Sequence, residues 1–144
     1  MTLASTSDVP EGFLPHFRKS PLTDPWEPLW SRVTDDAVII GLRAGEQHCN
    51  GRGFVHGGLI SALADNALGH SCRQRRTDGA SLVTITLNLE FVQTAQIGQW
   101  LEFRPIFIKS GGKVDIAQGQ VTADGEPCAL VSATFRVLQA RKAA

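Results

Sequence analysis

Between residues 56 and 75, apolar side chains return every three or four positions: Leu59, Ile60, Leu63, Ala64, Ala67 and Leu68. That is the period of one helix face, and it predicts a single long helix. Arg73, Arg75 and Arg76 crowd its C-terminal end, where cations complement the helix dipole. Before it, Ala-Val-Ile-Ile-Gly-Leu at 37–42 reads as a first strand, and 43–54 as a loop holding Gly45, Gly51 and Gly53. After it the period drops to two. Over 82–91, Val83, Ile85, Leu87, Leu89 and Phe91 alternate with Thr84, Thr86, Asn88 and Glu90, so the two sets are expected on opposite faces. Strands follow at 100–109, 114–123 and 128–138. Ser110-Gly111-Gly112-Lys113 and Asp124-Gly125 between them are hairpin signals.

The first thirty residues break this regularity. Residues 1–10 read as loose. From Glu11 to Trp30 the chain carries Pro15, Pro21, Pro25 and Pro28 among Phe13, Phe17, Trp26 and Trp30. The prolines forbid one continuous helix, so a short helix is expected over 11–19 and an irregular aromatic stretch after it. Its rings fill space on the outside of the core, or else Trp26 or Trp30 walls a ligand pocket.

One apolar helix followed by a run of antiparallel strands is an α+β pattern, with the helix wrapped by one curved sheet. Such a sheet leaves open edges, and pairing with a second copy is the economical remedy, so a homodimer is expected. The 144 residues suit one domain, an N-terminal extension over 1–30 and a core over 31–138. Fourteen Lys and Arg balance fourteen Asp and Glu, which argues against a nucleic-acid partner. Three cysteines, Cys49, Cys72 and Cys128, make a poor disulfide framework. No stretch has the roughly 20 apolar residues of a membrane span, and no leader pattern opens the chain, so a cytoplasmic protein is expected.

The chemistry concentrates in Asn50-Gly51-Arg52-Gly53-Phe54-Val55-His56-Gly57-Gly58, which runs straight into the helix. Two glycines at a helix start cost about 1 kcal/mol each against alanine. One account is close backbone packing against a strand. The other is bare backbone N–H groups, left open so that a carbonyl oxygen can reach them as at an oxyanion site. Asp65, in the middle of the apolar helix, is either an ordinary surface residue or a base or nucleophile facing a cavity. Eight residues separate Gly57 from Asp65, about 12 Å of helix rise. Both groups must come within about 3 Å of the reacting atoms. If both act on one carbonyl, they come from two copies of the chain.

The stretch Asn50…His56-Gly57-Gly58…Asp65, followed by Val83-Thr84-Ile85-Thr86-Leu87-Asn88-Leu89-Glu90-Phe91, resembles the hotdog-fold acyl-CoA thioesterases of the phenylacetate-degradation type. The similarity runs from about Trp30 to Val137. It implies a long helix lying in a curled antiparallel sheet, dimers that pair into tetramers, and hydrolysis of an acyl-CoA thioester without metal or cofactor. It also implies roles. Asp65 would be the base or nucleophile, and the Gly57 N–H would polarise the carbonyl. Asn50 would hold water or the carbonyl, and His56 would orient the loop. Thr84 would support the water beside Asp65. Gly58, Arg52, Arg73, Arg76 and Lys113 are substrate-binding candidates, the cations for the phosphates of coenzyme A.

Two other readings remain. Asp65 and His70 have the five-residue spacing of hotdog enoyl-CoA hydratases. Positions five apart lie about 140° apart around a helix, however, and the proline of that pattern is replaced by Ala67-Leu68-Gly69. A non-catalytic acyl-CoA or aromatic-ligand binding protein would keep the fold without needing Asp65. There is no G-x-S-x-G elbow, no complete phosphate loop and no zinc-like spacing of His and Cys.

Overall fold

The computed structural model describes residues 9–139. Most of the loose N-terminal stretch expected from sequence lies outside them. The long helix α1 spans Gly57–Gln74, with His56 as its N-cap. Strands β1 (Leu14–Pro15), β2 (Trp30–Val33) and β3 (Val38–Arg43) precede it. Strands β4 (Ser81–Phe91), β5 (Trp100–Lys109), β6 (Val114–Ala123) and β7 (Glu126–Leu138) follow. All seven form one antiparallel sheet in the order β1-β2-β3-β5-β6-β7-β4. The helix packs against β3, β4, β5, β6 and β7 of this single sheet, which must therefore curve round it. The expected α+β architecture, one helix in a curved sheet, is what forms.

The buried stripe of α1 is the periodic one: Leu59, Ile60, Leu63, Ala64, Ala67, Leu68 and Cys72. It meets Leu42, Leu101, Phe103, Val121 and Phe135 of the sheet in one continuous core. Close approach is built in at Gly119 of β6. A Cβ there would collide with the Arg104 carbonyl and lie 2.9 Å from Leu68 Cδ2. Ser71, fully buried on α1, accepts a hydrogen bond from Val38 N–H (3.0 Å) and donates to the Ala67 carbonyl (2.6 Å), joining helix to β3. The β6–β7 turn has Asp124 and Gly125 at φ 49° and 84°, the left-handed pair that matches strand twist.

Three expectations need correction. No helix forms over 11–19. Gly12 sits at φ 90°, and Leu14 and Pro15 instead pair with Ser31 and Trp30 as a short strand. The strand at 38–43 is not the first, because β2 forms a hairpin with it through Thr34, whose hydroxyl caps the Asp36 and Ala37 N–H groups. The N-terminal stretch is thus stitched into the fold: Leu29 joins the main core, while Phe13 and Trp30 join Trp100 in a second cluster of their own.

The third correction concerns β4. Thr84 pairs with Phe135 and Thr86 with Thr134, so Ile85 is an extra residue, a bulge. Before it, Leu82 and Thr84 lie opposite buried Val137 and Phe135; after it, Leu87, Leu89 and Phe91 lie opposite buried Ala133, Val131 and Ala129. The bulge therefore turns Thr84 to the helix-facing side instead of the outer one. β4 is also an edge strand, and Val83, Ile85, Leu87 and Phe91 on it are 51%, 54%, 37% and 52% exposed.

Arg76, expected to meet a phosphate, is committed inside the protein. Its side chain is only 5% exposed and donates to Asp115 Oδ1 at 2.9 Å and to Asp78 Oδ2 at 2.8 Å. Asp115 is completely buried on β6, and burial pushes its carboxyl above the usual range. Removing the arginine would leave that carboxyl without its one ion-pair partner among the described residues. Arg76→Ala should lower Tm by about 10 °C in a thermal melt, whereas Asp78→Ala, at the exposed end of the pair, should cost about 3 °C or less.

Candidate active site

Two clefts flank the segment from Arg18 to Trp26 where it crosses the outer face of α1. That face is the polar complement of the buried stripe. Gly58, Ala62, Asp65, Asn66, Gly69, His70 and Arg73 recur on it at helical spacing.

The first cleft, about 340 Å³, holds Asp65. Asp65 Oδ1 accepts a hydrogen bond from Thr84 Oγ1 at 2.8 Å. The second oxygen has no partner among the described residues, and Asp65 lines the open cleft. A half-buried carboxylate with one oxygen held and one free is suited to taking a proton or attacking a carbon. Arg18 and Thr23 of the N-terminal segment, His70 and Arg73 of the helix, and Leu82 and Phe135 of the sheet complete the walls. His70 packs edge-on against His16 (5.6 Å between ring centroids) and Phe17 (5.3 Å). Burial, helped by the charges of His16, Arg18 and Arg73, pushes its pKa down to about 4, so it is neutral at pH 7. Asp65 and His70, the hydratase pair, thus have separate partners.

The second cleft, about 430 Å³, lies at the helix N-terminus between Leu22, Trp26, His48, Cys49, His56 and Gly58. Trp26 is therefore a cleft wall, while Trp30 packs in the outer cluster. His48 lies beneath it. Its Nδ1 accepts from Gly45 N–H at 2.8 Å, so its Nε2 carries the proton and donates to the Trp26 carbonyl at 2.9 Å. Burial lowers its pKa, and the bond to Trp26 partly opposes that.

The helix start separates the two glycines. His56 Nδ1 accepts the Gly58 N–H at 2.8 Å, as an N-cap does. Gly58 is thereby spent on the cap and is not the free donor the sequence suggested. The Gly57 N–H has no acceptor among the described residues, and the Phe91 ring lies 3.3 Å from where a Cβ on Gly57 would be. Asn50 Oδ1 accepts from the N–H groups of Arg52 (2.9 Å) and Phe54 (3.3 Å), which shapes the loop leading into α1. Its side-chain NH₂ has no acceptor among the described residues.

The chain thus brings Asp65, Thr84 and Arg73 to one cleft and His56 and Gly58 to the other, with Gly57 at the same helix end. Arg52 is exposed in the loop before the helix. Lys113 lies at the far end, in the turn whose Gly112 carbonyl receives Arg76. Arg18 and Thr23 escaped the sequence reading because a stretch broken by prolines has no period to place them.

A profile of the Thioesterase superfamily matches residues 52–128. A candidate esterase of Pseudomonas aeruginosa is 38% identical over 131 residues, 90% of this chain and 98% of its own. Mouse acyl-coenzyme A thioesterase 13 is 28% identical over 89 residues, 60% of this chain and 61% of its own. Among solved structures, a Bacillus halodurans protein determined with CoA matches with TM-score 0.71 and 29% identity, covering 88% of this chain and 83% of its own. A mutant of the phenylacetic acid degradation protein PaaI from Thermus thermophilus matches with TM-score 0.72 and 20% identity, covering 83% and 100%.

If His56 acts as the cap, His56→Ala should lower stability by about 1 kcal/mol in urea denaturation, and His56→Asn should restore most of it. The depressed His70 gives a second outcome. Unfolded, its imidazole takes a proton near pH 6.5; folded, near 4. Stability should therefore fall as pH drops from 7 through this window, and His70→Gln should flatten the fall in urea midpoints.

Proposed function

The chain belongs to the Thioesterase superfamily, and we propose that it is a hotdog thioesterase of the PaaI type that hydrolyses acyl-coenzyme A to a free acid and coenzyme A, with Asp65 as the catalytic carboxylate. The observation that carries this reading is the Asp65–Thr84 hydrogen bond in an open cleft. Nothing in the packing of α1 requires a carboxylate there, and a β-bulge is spent on aiming Thr84 at it.

The chemistry follows from what each group can do. The Thr84 hydroxyl donates to Oδ1 and fixes the orientation of the carboxyl group. Oδ2 takes a proton from water as the oxygen of that water bonds to the thioester carbon. The carbonyl electrons move to oxygen, which an N–H at a helix N-terminus stabilises. The oxyanion then re-forms C=O, the C–S bond breaks, and the thiolate of coenzyme A leaves and is protonated. Direct attack by Oδ2, giving a mixed anhydride that water cleaves, uses the same atoms. Asn50 has an NH₂ left to hold the water or carbonyl. Arg52 is exposed in the loop before the helix start, and in this reading its guanidinium binds a phosphate of coenzyme A.

The N–H comes from another copy. Gly57 and Asp65 of one chain are about 12 Å apart along α1, too far to serve one carbonyl. The site is therefore completed by Gly57 of the partner subunit in a homodimer, with a dimer of dimers as the larger assembly. β4 supports the pairing: its outer edge has no neighbour among the described residues, and the strand carries exposed apolar residues.

Asp65→Asn should lower kcat at least about a hundredfold in a thiol-release assay, with the fold retained by circular dichroism. A mixed-subunit experiment tests the shared site. Asp65→Asn and Gly57→Pro, each inactive alone, should recover about a quarter of wild-type activity when unfolded together and refolded, because half the dimers then carry one intact site. No recovery, with heterodimers present by mass spectrometry, would rule out catalysis across the interface.

A further inference from the structure

The walls of the Asp65 cleft carry two cations that nothing in the fold employs. Arg18 enters from the N-terminal segment and Arg73 from the last turn of α1, and both line the same cleft. Neither guanidinium has a hydrogen-bond or ion-pair partner among the described residues. Arg75 and Arg76 next to Arg73 do: they bond to the Asp36 carbonyl and to Asp78 and Asp115. The other polar wall groups, Ser20, Thr23, Asn66, His70 and Thr84, are neutral, so Asp65 is the single negative charge among the described residues of the cleft wall.

We propose that Arg18 and Arg73 form an anion-binding end of the acyl pocket, so that the preferred substrate is a thioester whose acyl group ends in a carboxylate. This rests on the hydrolytic reading above. The reaction needs the thioester carbon beside Asp65, which places the acyl tail in the remaining space of the cleft. Arg73 lies eight residues, about 12 Å of rise, beyond Asp65. Side chains on a helix lean back toward its N-terminus, so the Arg73 guanidinium lies nearer to Asp65 than its Cα does. An extended acyl chain of about four to six carbons spans the gap that is left. A forked guanidinium matches a carboxylate oxygen pair, and a second one opposite holds it from another element. The positive field at this end is also felt by His70, whose proton the charges of both arginines help to expel. The neutral imidazole left there can still donate one hydrogen bond.

The same anion chemistry could serve a phosphate of coenzyme A, and matched substrates separate the two. Hexanoyl-CoA and adipyl-CoA share the coenzyme and the chain length and differ at the terminal carboxylate alone. With the full chain, kcat/KM by thiol release should favour adipyl-CoA by about tenfold or more. Arg18→Gln and Arg73→Gln should each shrink that ratio, and the double variant should bring it to about one. Circular dichroism and Tm would show the variants folded. Equal wild-type turnover of the two substrates would overturn the proposal and leave the hydrolytic reading standing. So would variants that raise KM for both substrates alike, since the arginines would then hold the coenzyme. No turnover of either substrate, or of any acyl-CoA across a panel, would overturn both.

Discussion

Helix α1 buries Leu59, Leu63, Ala67 and Leu68 against a sheet that approaches so closely that residue 119 must be glycine. This packing fixes the rotation of the helix. Once the stripe from Leu59 to Cys72 is turned inward, the stripe from Gly58 to Arg73 is turned outward. A carboxylate at position 65 is then presented at the rim of the sheet, where β4 can reach it, without entering the apolar core. The same rigid rod keeps the helix start about two turns away from that carboxylate. A function that needs both ends at one carbon must therefore be met by adding a second chain, since bending the first would sacrifice the core.

Much of this was legible because two periods dominate the chain. The three-and-four spacing located α1 to within a residue, and the strands at 100–109 and 114–123 fell on their observed limits. Alternation failed where one residue was inserted. Over 82–91 the pattern is nearly unbroken, and it put Thr84 opposite Leu87 and Leu89. The bulge at Ile85 reverses that relation, and no residue type marks it, since isoleucine is as ordinary a strand residue as any. Asp65 stood out as an acid in an apolar helix, but its partner could be found only once the register was known. Arg76 misled for a related reason. A cation after a helix looks like surface charge, and its buried partner Asp115 is thirty-nine residues away on a strand of unremarkable alternation. The N-terminal segment had no period at all. Its prolines gave only prohibitions, which exclude a long helix without saying where the chain goes instead.

That segment changes the character of the site. Without it, the outer stripe of α1 would be an open helix face. With Arg18, Ser20 and Thr23 on one side and Leu22 and Trp26 on the other, the face becomes two clefts of different chemistry. The cleft at Asp65 is cationic and polar, and the one at the helix start is walled by an indole, aliphatic groups and the imidazoles of His48 and His56. His48 pins Trp26 from below through its carbonyl, and His16 and Phe17 pack on His70. The segment is thus held at both ends by imidazoles whose pKa burial lowers, and these supply directional contacts.

Strand β4 links this local chemistry to assembly. Its inner side gives Thr84 to the carboxylate, and its ring at Phe91 lies over the α-carbon of Gly57, so both halves of the proposed chemistry touch one strand. Its free edge has no partner strand among the described residues, and Val83, Ile85, Leu87 and Phe91 on the strand are exposed. An isolated chain would leave that edge open to indiscriminate pairing. A second copy laid against it satisfies the backbone and covers the apolar side chains. It also fixes the position of β4, and with it the register that aims Thr84. On this reading the bulge, the bare edge and the separation of Gly57 from Asp65 are one solution: the strand that completes the fold by pairing is the strand that the site is built on, so a chain without its partner would lack both a stable edge and a complete active centre.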